Sequence, residues 1–240
     1  MSFVRELARQ ALLPLLHTPL GRRSVKLGPP ADLTAMKLGW SPFGDQRLGL
    51  REIEGYLQRY TPQPGDVVIN AGAYHGHLAL YLAHKVGPTG QVVCFEPDAT
   101  NRRVLHNNLR LNAAQNIQVV PQGLWSGPAT LAFSTRGSSS RVHDQGLNTI
   151  SLIDLDSALE KIDVSRVNFI AMDIEGAEIE ALKGMQQTLA ANPQLKLAIA
   201  SYHIVDGRPT HQALEEMFAQ SGWQATTGFP QHLTTYAEKA

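Results

Sequence analysis

From Asp66 onward the apolar pattern of this 240-residue chain switches repeatedly between two periods, and that alternation limits the fold more than any single motif. Short runs that are apolar on both faces, "DVVINA", "QVVCFE", "IQVVPQ", "VNFIAMD" and "LKLAIAS", read as buried strands. Between them lie stretches with apolar residues at helical spacing. "HLALYLAHKVG" places Leu78, Leu82 and Val86 on one face, and "PDATNRRVLHNNLRLN", opened by Pro97, turns Val104, Leu105 and Leu109 inward. "EGAEIEALKGMQQTLA" reads as one helix with Ile179, Leu182 and Leu189 inward. Such repetition predicts an α/β fold, a mostly parallel sheet with helices on both faces. A further helix, "THQALEEMFAQSG", precedes two β-like runs, "WQATTGF" and "HLTTYAE", expected as an antiparallel hairpin at one edge. The expected domain spans residues 61–240, with 1–60 a helical extension of the same unit that covers the substrate pocket.

The turn after the first strand, "NAGAYHGH", carries Gly72 and Gly76. In an open α/β sheet, ligands bind outside the carboxyl ends of the strands where strand order reverses, so this turn faces the ligand. Glycine there lets backbone approach a ligand or a neighbouring element without an intervening Cβ. The second strand ends in Glu96, where doubly wound folds grip ribose hydroxyls. Together these predict a ligand that contains adenosine. A dinucleotide cradle needs a middle glycine, yet Ala73, Tyr74 and His75 stand between Gly72 and Gly76. S-adenosyl-L-methionine has no phosphate to cradle and suits the turn better than NAD.

Composition removes other classes. Lys plus Arg and Asp plus Glu number 21 each, so no global field recruits nucleic acid. The single cysteine, Cys94, sits in an apolar run and reads as a buried strand residue. A chain that cannot form an internal disulfide suits a reducing cytoplasm. Val4, Leu7, Ala8, Ala11, Leu12 and Leu15 form a helix-like stripe broken by Pro14 and Pro19, too short to span a membrane. Residues 1–30 hold five basic residues against Glu6, so this stripe suits docking on its own domain, on a second copy of the chain, or on a membrane surface. "STRGSSSRVHDQG", residues 134–146, reads as an exposed loop between two β-like runs, "ATLAFST" and "NTISLI".

The stretch from Gly65 to Val120 resembles the first half of the FkbM-family methyltransferases. "ISLIDLDSALEK" and "VNFIAMDIEGAEIEALKGM" resemble that family's later segments, with "DIEGAE" the most discriminating piece. The resemblance implies the seven-stranded class I methyltransferase fold, S-adenosylmethionine as cofactor, and methylation of a hydroxyl on a natural product, sugar or glycan. It implicates Gly72, Ala73 and Gly76, with Tyr74 between them, in the methionine-side turn. It also implicates Glu96 and Pro97 at the ribose, and Asp173 and Glu175 at the mouth of the fourth strand. Where the family carries an acid at the end of the first strand, this chain has Asn70, which hydrogen-bonds but adds no charge.

A hydroxyl is a poor nucleophile until a base takes its proton. His203 follows the fifth strand and has the side-chain type suited to proton transfer near neutrality, with Asp173 as its partner and Glu175 beside it. Glu175 could instead serve the helix that it opens, and His203 could be an ordinary loop residue. His75, His77 and His143 are conceivable metal ligands with Asp173, but no ligand spacing is diagnostic and no metal is assigned. A nicotinamide oxidoreductase and a non-catalytic cofactor binder remain the alternatives. Trp40, Phe43 and Tyr56 are expected to shape the acceptor pocket, whose specificity the sequence does not spell out.

Overall fold

The computed structural model describes residues 22–24, 37–39, 52–134, 141–142 and 148–240. Its centre is a seven-stranded sheet. The strands are β1 (Val67–Ala71), β2 (Gln91–Phe95), β3 (Ile117–Val120), β4 (Phe169–Met172), β5 (Lys196–Ala200), β6 (Trp223–Gly228) and β7 (Thr234–Lys239). Their spatial order is β6-β7-β5-β4-β1-β2-β3. β7 runs antiparallel to both its neighbours, and the pairings from β5 through β3 are parallel. The expected edge hairpin is therefore present, with β7 as the reversed strand.

The central strands are buried because both faces are covered. Val68, Val92, Phe169, Ala171 and Ala198 pack with Leu80, Leu82 and Val86 on one face. Ile69, Val93, Phe95, Ile170, Met172, Leu197 and Ile199 pack with Leu182, Leu189, Leu214 and Phe218 on the other. Consecutive strand residues thus go to opposite layers, as the pleat requires. Cys94 is fully buried and reduced in the first of these layers, and burial, with Glu96 nearby, pushes its thiol pKa up.

Helices follow the strands: α1 (His77–Val86), α2 (Ala99–Leu111), α3 (Leu155–Lys161), α4 (Glu178–Lys183), α5 (Gln186–Ala191) and α6 (Thr210–Gln220). Two local readings are corrected. Pro97 lies outside α2, whose N-cap is Asp98; its carboxylate accepts from the Thr100 and Asn101 N–H groups at 2.8 Å. Such a cap contributes about 1 kcal/mol. The single helix expected over "EGAEIEALKGMQQTLA" is two, α4 and α5, separated at Gly184. A Cβ at Gly184 would lie 2.1 Å from the Trp125 carbonyl oxygen, so this break seats the chain against a neighbouring segment. That segment belongs to a second, four-stranded sheet, in which Ala129–Ser134 and Asn148–Ile153 pair antiparallel, flanked by Arg141–Val142 and Gly123–Leu124. Most of the polar loop between them, and the N-terminal stripe, lie outside the described residues. No helix among the described residues is long and apolar enough to cross a membrane.

Strand order reverses between β1 and β4, which places the carboxyl ends of both at one crevice. The Asp173 N–H donates to the Ala71 carbonyl at 2.9 Å, so the chain leaving β4 is stitched to the end of β1.

Candidate functional site

Two groups of residues meet at this crevice. The first is built on the β1–α1 turn. Gly72 has φ +81°, and a Cβ there would sit 1.8 Å from the Asp173 carbonyl oxygen. Glycine is therefore required by the approach of β4, whatever ligand lies above it. Gly76 has φ +86°, and a Cβ there would meet Leu105 Cδ1 at 2.3 Å, so it lets α1 close onto α2. The Gly72 and Ala73 N–H groups both donate to the Phe95 carbonyl, at 3.0 and 3.1 Å. Tyr74, at φ +48°, donates its N–H to Glu96 Oε2 at 2.8 Å, and its ring stacks on His75 with centroids 3.7 Å apart.

Glu96 is 5% exposed. Its Oε1 accepts from the Asp98 N–H at 3.0 Å and the Asn101 amide at 3.3 Å, while Oε2 accepts from Tyr74. A carboxylate has about four lone-pair sites, so one remains on Oε2. Burial raises its pKa, and the backbone donors Asp98 and Tyr74 only partly oppose this. Asn70 is buried with its Oδ1 unpartnered within the protein. The first turn of α1 has no side-chain cap and no acidic residue, leaving its N-terminal N–H groups available to a carboxylate.

The second group gathers around Asp173. Tyr202 donates to its Oδ2 at 2.7 Å and Tyr56 to the same oxygen at 3.3 Å. His203 Nε2 lies 3.4 Å from Asp173 Oδ1 and 3.7 Å from Glu175 Oε2. His203 Nδ1 lies 3.1 Å from Glu178 Oε1, and His232 Nε2 is 3.7 Å from Asp173 Oδ2. Asp173, His203 and Glu175 are thus brought together, whereas His75 and His77 stay on the β1–α1 turn and His143 lies outside the described residues.

Local structure explains the convergence. After β4 the chain bends sharply: Glu175 (φ +58°) and Gly176 (φ +100°) are both left-handed, and α4 begins two residues later. Glu178, fully buried at the start of α4, turns back so that Oε1 accepts from the Ile174 and Gly176 N–H groups at 3.1 and 3.2 Å. The third acid of "DIEGAE" thus holds the turn that aims the first two. The sequence reading passed over it, although its place in the helix's first turn beside two other acids was a signal. His232 was also missed; it arrives from the β6–β7 connection, far along the chain, and packs edge-on against Tyr56 at 5.0 Å.

Charge follows from these contacts. Burial alone would raise the Asp173 pKa, but its contacts with His232, His203 and Tyr202 outweigh this and hold it below the usual carboxylate range. Burial alone would lower the His203 pKa, but Glu178, Asp173 and Glu175 outweigh it and the net shift is upward. Glu52 is pushed up by its own burial and by Asp173. The Tyr202 phenol is raised by burial and by Asp173, so it acts as a donor. On the accessible side are Asp173 and Glu175, whose side chains are 23% and 26% exposed, against 2% for His203.

A doubly wound sheet of this order, with a glycine turn after β1, an acid after β2 and a carboxylate after β4, defines the class I methyltransferase fold. A profile of the methyltransferase FkbM domain matches residues 70–224, and the chain belongs to that family. It is 24% identical over 152 residues to "Methyltransferase 1" of Beauveria bassiana, covering 52% of this chain and 61% of that protein. It is 28% identical over 157 residues to the hexuronic acid methyltransferase AglP of Haloferax volcanii, covering 63% and 62%. The chain thus spans about three fifths of the length of these curated relatives. Among solved structures, an FkbM methyltransferase from Methylobacillus flagellatus superimposes with TM-score 0.59 at 22% identity, covering 78% of this chain and 47% of that one. Aeropyrum pernix fibrillarin, solved with natively bound S-adenosyl-L-methionine, superimposes with TM-score 0.50 at 14% identity, covering 80% and 73%.

Proposed function

We propose that this chain is an S-adenosylmethionine-dependent O-methyltransferase acting on a hydroxyl of a sugar, glycan or other small natural product. The observation that carries the reading is the shared wall at Gly72: the turn suited to the cofactor lies directly against Asp173, the carboxylate suited to the acceptor. The residues present fit the cofactor. Glu96 keeps a lone-pair site for a ribose hydroxyl, Asn70 Oδ1 is a buried acceptor in want of a donor, and the uncapped start of α1 suits an amino-acid carboxylate.

When bound, S-adenosylmethionine supplies a methyl group activated on a sulfonium. The chain's own work is positioning, which accounts for much of the acceleration when two reactants must align. A hydroxyl that donates to the Asp173 carboxylate has its oxygen lone pair directed away from that carboxylate. Tyr202 and Tyr56, which donate to Asp173 Oδ2, fix where the carboxylate stands. His203, behind Asp173 and almost fully buried, acts through it by stabilising its charge. In this reading Asp173 meets the acceptor and takes its hydroxyl proton, and His203 is the positioning residue. The hexuronic acid relative adds weight to a carbohydrate acceptor.

The test is calorimetric titration of the full chain with S-adenosylmethionine, its demethylated product and NAD, then incubation of labelled cofactor with sugar and metabolite extracts. Binding of the first two ligands, and a product methylated on oxygen, are expected. Asp173→Asn should lower turnover by ~10²–10⁴-fold while cofactor affinity stays within a few-fold. Selective NAD binding, or cofactor binding without transfer to any acceptor, would overturn the reading.

A further inference from the structure

Behind the acceptor edge three residues, Asp173, Glu178 and His203, hold four buried side-chain atoms with no hydrogen-bond partner. Asp173 and Glu178 are each anchored through one oxygen: Oδ2 by Tyr202 and Tyr56, Oε1 by the Ile174 and Gly176 N–H groups. Their other oxygens, Asp173 Oδ1 and Glu178 Oε2, are buried and unpartnered. His203 is 3% exposed, and neither of its ring nitrogens makes a hydrogen bond, even though carboxylate oxygens lie 3.1 and 3.4 Å away. Those contacts are short enough for hydrogen bonds and wrongly directed for them.

One donor atom from each of Asp173, Glu178 and His203 lies within 4.8 Å of the other two. That is the spread expected of ligands held at about 2.0–2.4 Å from one ion. Charge points the same way. Among the described residues the ion-pair partners of Asp173 and Glu178 are His203 and His232 alone, so two buried or half-buried carboxylates, with Glu175 close by, share imidazoles as their positive charge. A dipositive ion, displacing the proton from His203, neutralises such a group better than the imidazoles alone can. The anchoring of each carboxylate by its second oxygen also matches the way outer partners orient metal ligands.

We propose that Asp173, Glu178 and His203 form a site for a divalent first-row cation. One imidazole and two carboxylates suit an ion between hard and soft, such as Mn2+ or Zn2+. The cation would stand directly behind Asp173, where its charge would fix the carboxylate and make an adjacent hydroxyl more acidic. That effect on turnover rests on the methyl-transfer reading; the binding site itself does not.

The test uses the full chain stripped of metal with a chelator. MnCl2 is titrated in with free Mn2+ followed by electron paramagnetic resonance, and ZnCl2 is added as competitor. One Mn2+ bound per chain, displaced by Zn2+, is expected. Affinity should fall at least tenfold in Glu178→Gln, His203→Gln and Asp173→Asn, each checked for a cooperative thermal transition. If Glu178→Gln does not fold, the other two carry the comparison. Wild-type protein that melts cooperatively but binds neither ion would overturn the site, as would variants that bind Mn2+ like wild type. S-adenosylmethionine binding is measured on the stripped protein. Cofactor binding without metal binding removes only the site, and metal binding without cofactor binding leaves the site standing and removes the methyl-transfer reading.

Discussion

Gly72→Ala tests how the crevice is built. An added Cβ would lie 1.8 Å from the Asp173 carbonyl oxygen and 2.8 Å from its carbon. A tolerable carbon–oxygen contact is about 3.3 Å, so the end of β4 must retreat by roughly 1.5 Å. That end cannot retreat freely, because the Asp173 N–H is bonded to Ala71 and its side chain to Tyr202 and Tyr56. Overpacking of this kind costs about 1–3 kcal/mol. A left-handed alanine adds about 1–2 kcal/mol, and a lost backbone hydrogen bond about 1 kcal/mol. The expected loss is therefore about 3–6 kcal/mol, a large part of a typical domain's stability. Gly207→Ala is the control: its φ is +75°, yet no atom lies within 4 Å of an added Cβ, so only the left-handed term applies. Urea unfolding of both variants, extrapolated to water, should separate them by about 2–4 kcal/mol at similar slope. Equal destabilisation would show that the close approach of β4 to the β1–α1 turn is not real, and with it would go the shared wall between the two groups.

Two further outcomes follow from single groups. Glu96→Gln should weaken S-adenosylmethionine binding by about 1.5–3 kcal/mol, the range for a hydrogen bond to a charged group; unchanged affinity in calorimetry would remove Glu96 from the ribose. His75 is 5% exposed, and burial, with His77 beside it, pulls its pKa from the ordinary 6.5 to about 4. The unfolded chain then binds the proton more readily than the folded one, so stability is full above pH 6.5 and is lost as pH falls from there to about 4. The loss is on the order of 3 kcal/mol, and His75→Gln should flatten that part of the stability profile. An unaltered profile in this variant would contradict the assignment.

The alternation of strand and helix was legible because it is local. A residue's neighbours along the chain set its period, and β1 to β5, the edge hairpin and the helices α1, α2 and α6 fall where the apolar spacing puts them. Glu96 at the end of β2 and Asp173 at the end of β4 could be placed for the same reason, since the carboxyl end of a strand is a position in sequence as well as in space. The break at Gly184 could not be read, because it is imposed by the Trp125 carbonyl, on a segment some sixty residues away in sequence. Gly72 was legible as a special position but not for its reason, which is the close approach of β4.

Tertiary structure alone added Glu178 and His232 to the group that the sequence begins with Asp173, Glu175 and His203. Asp173, Glu178, His203 and His232 come from three separate segments, so no spacing between them marks a site. Folding also ranked them: the sequence offers His203 as the natural proton acceptor, while the structure buries it behind Asp173, and the three carboxylates facing it raise its pKa. Periodicity records which face of an element is apolar. Burial, and the proton affinity that goes with it, depend on what the other elements bring to that face, and that is known only once the chain has closed around it.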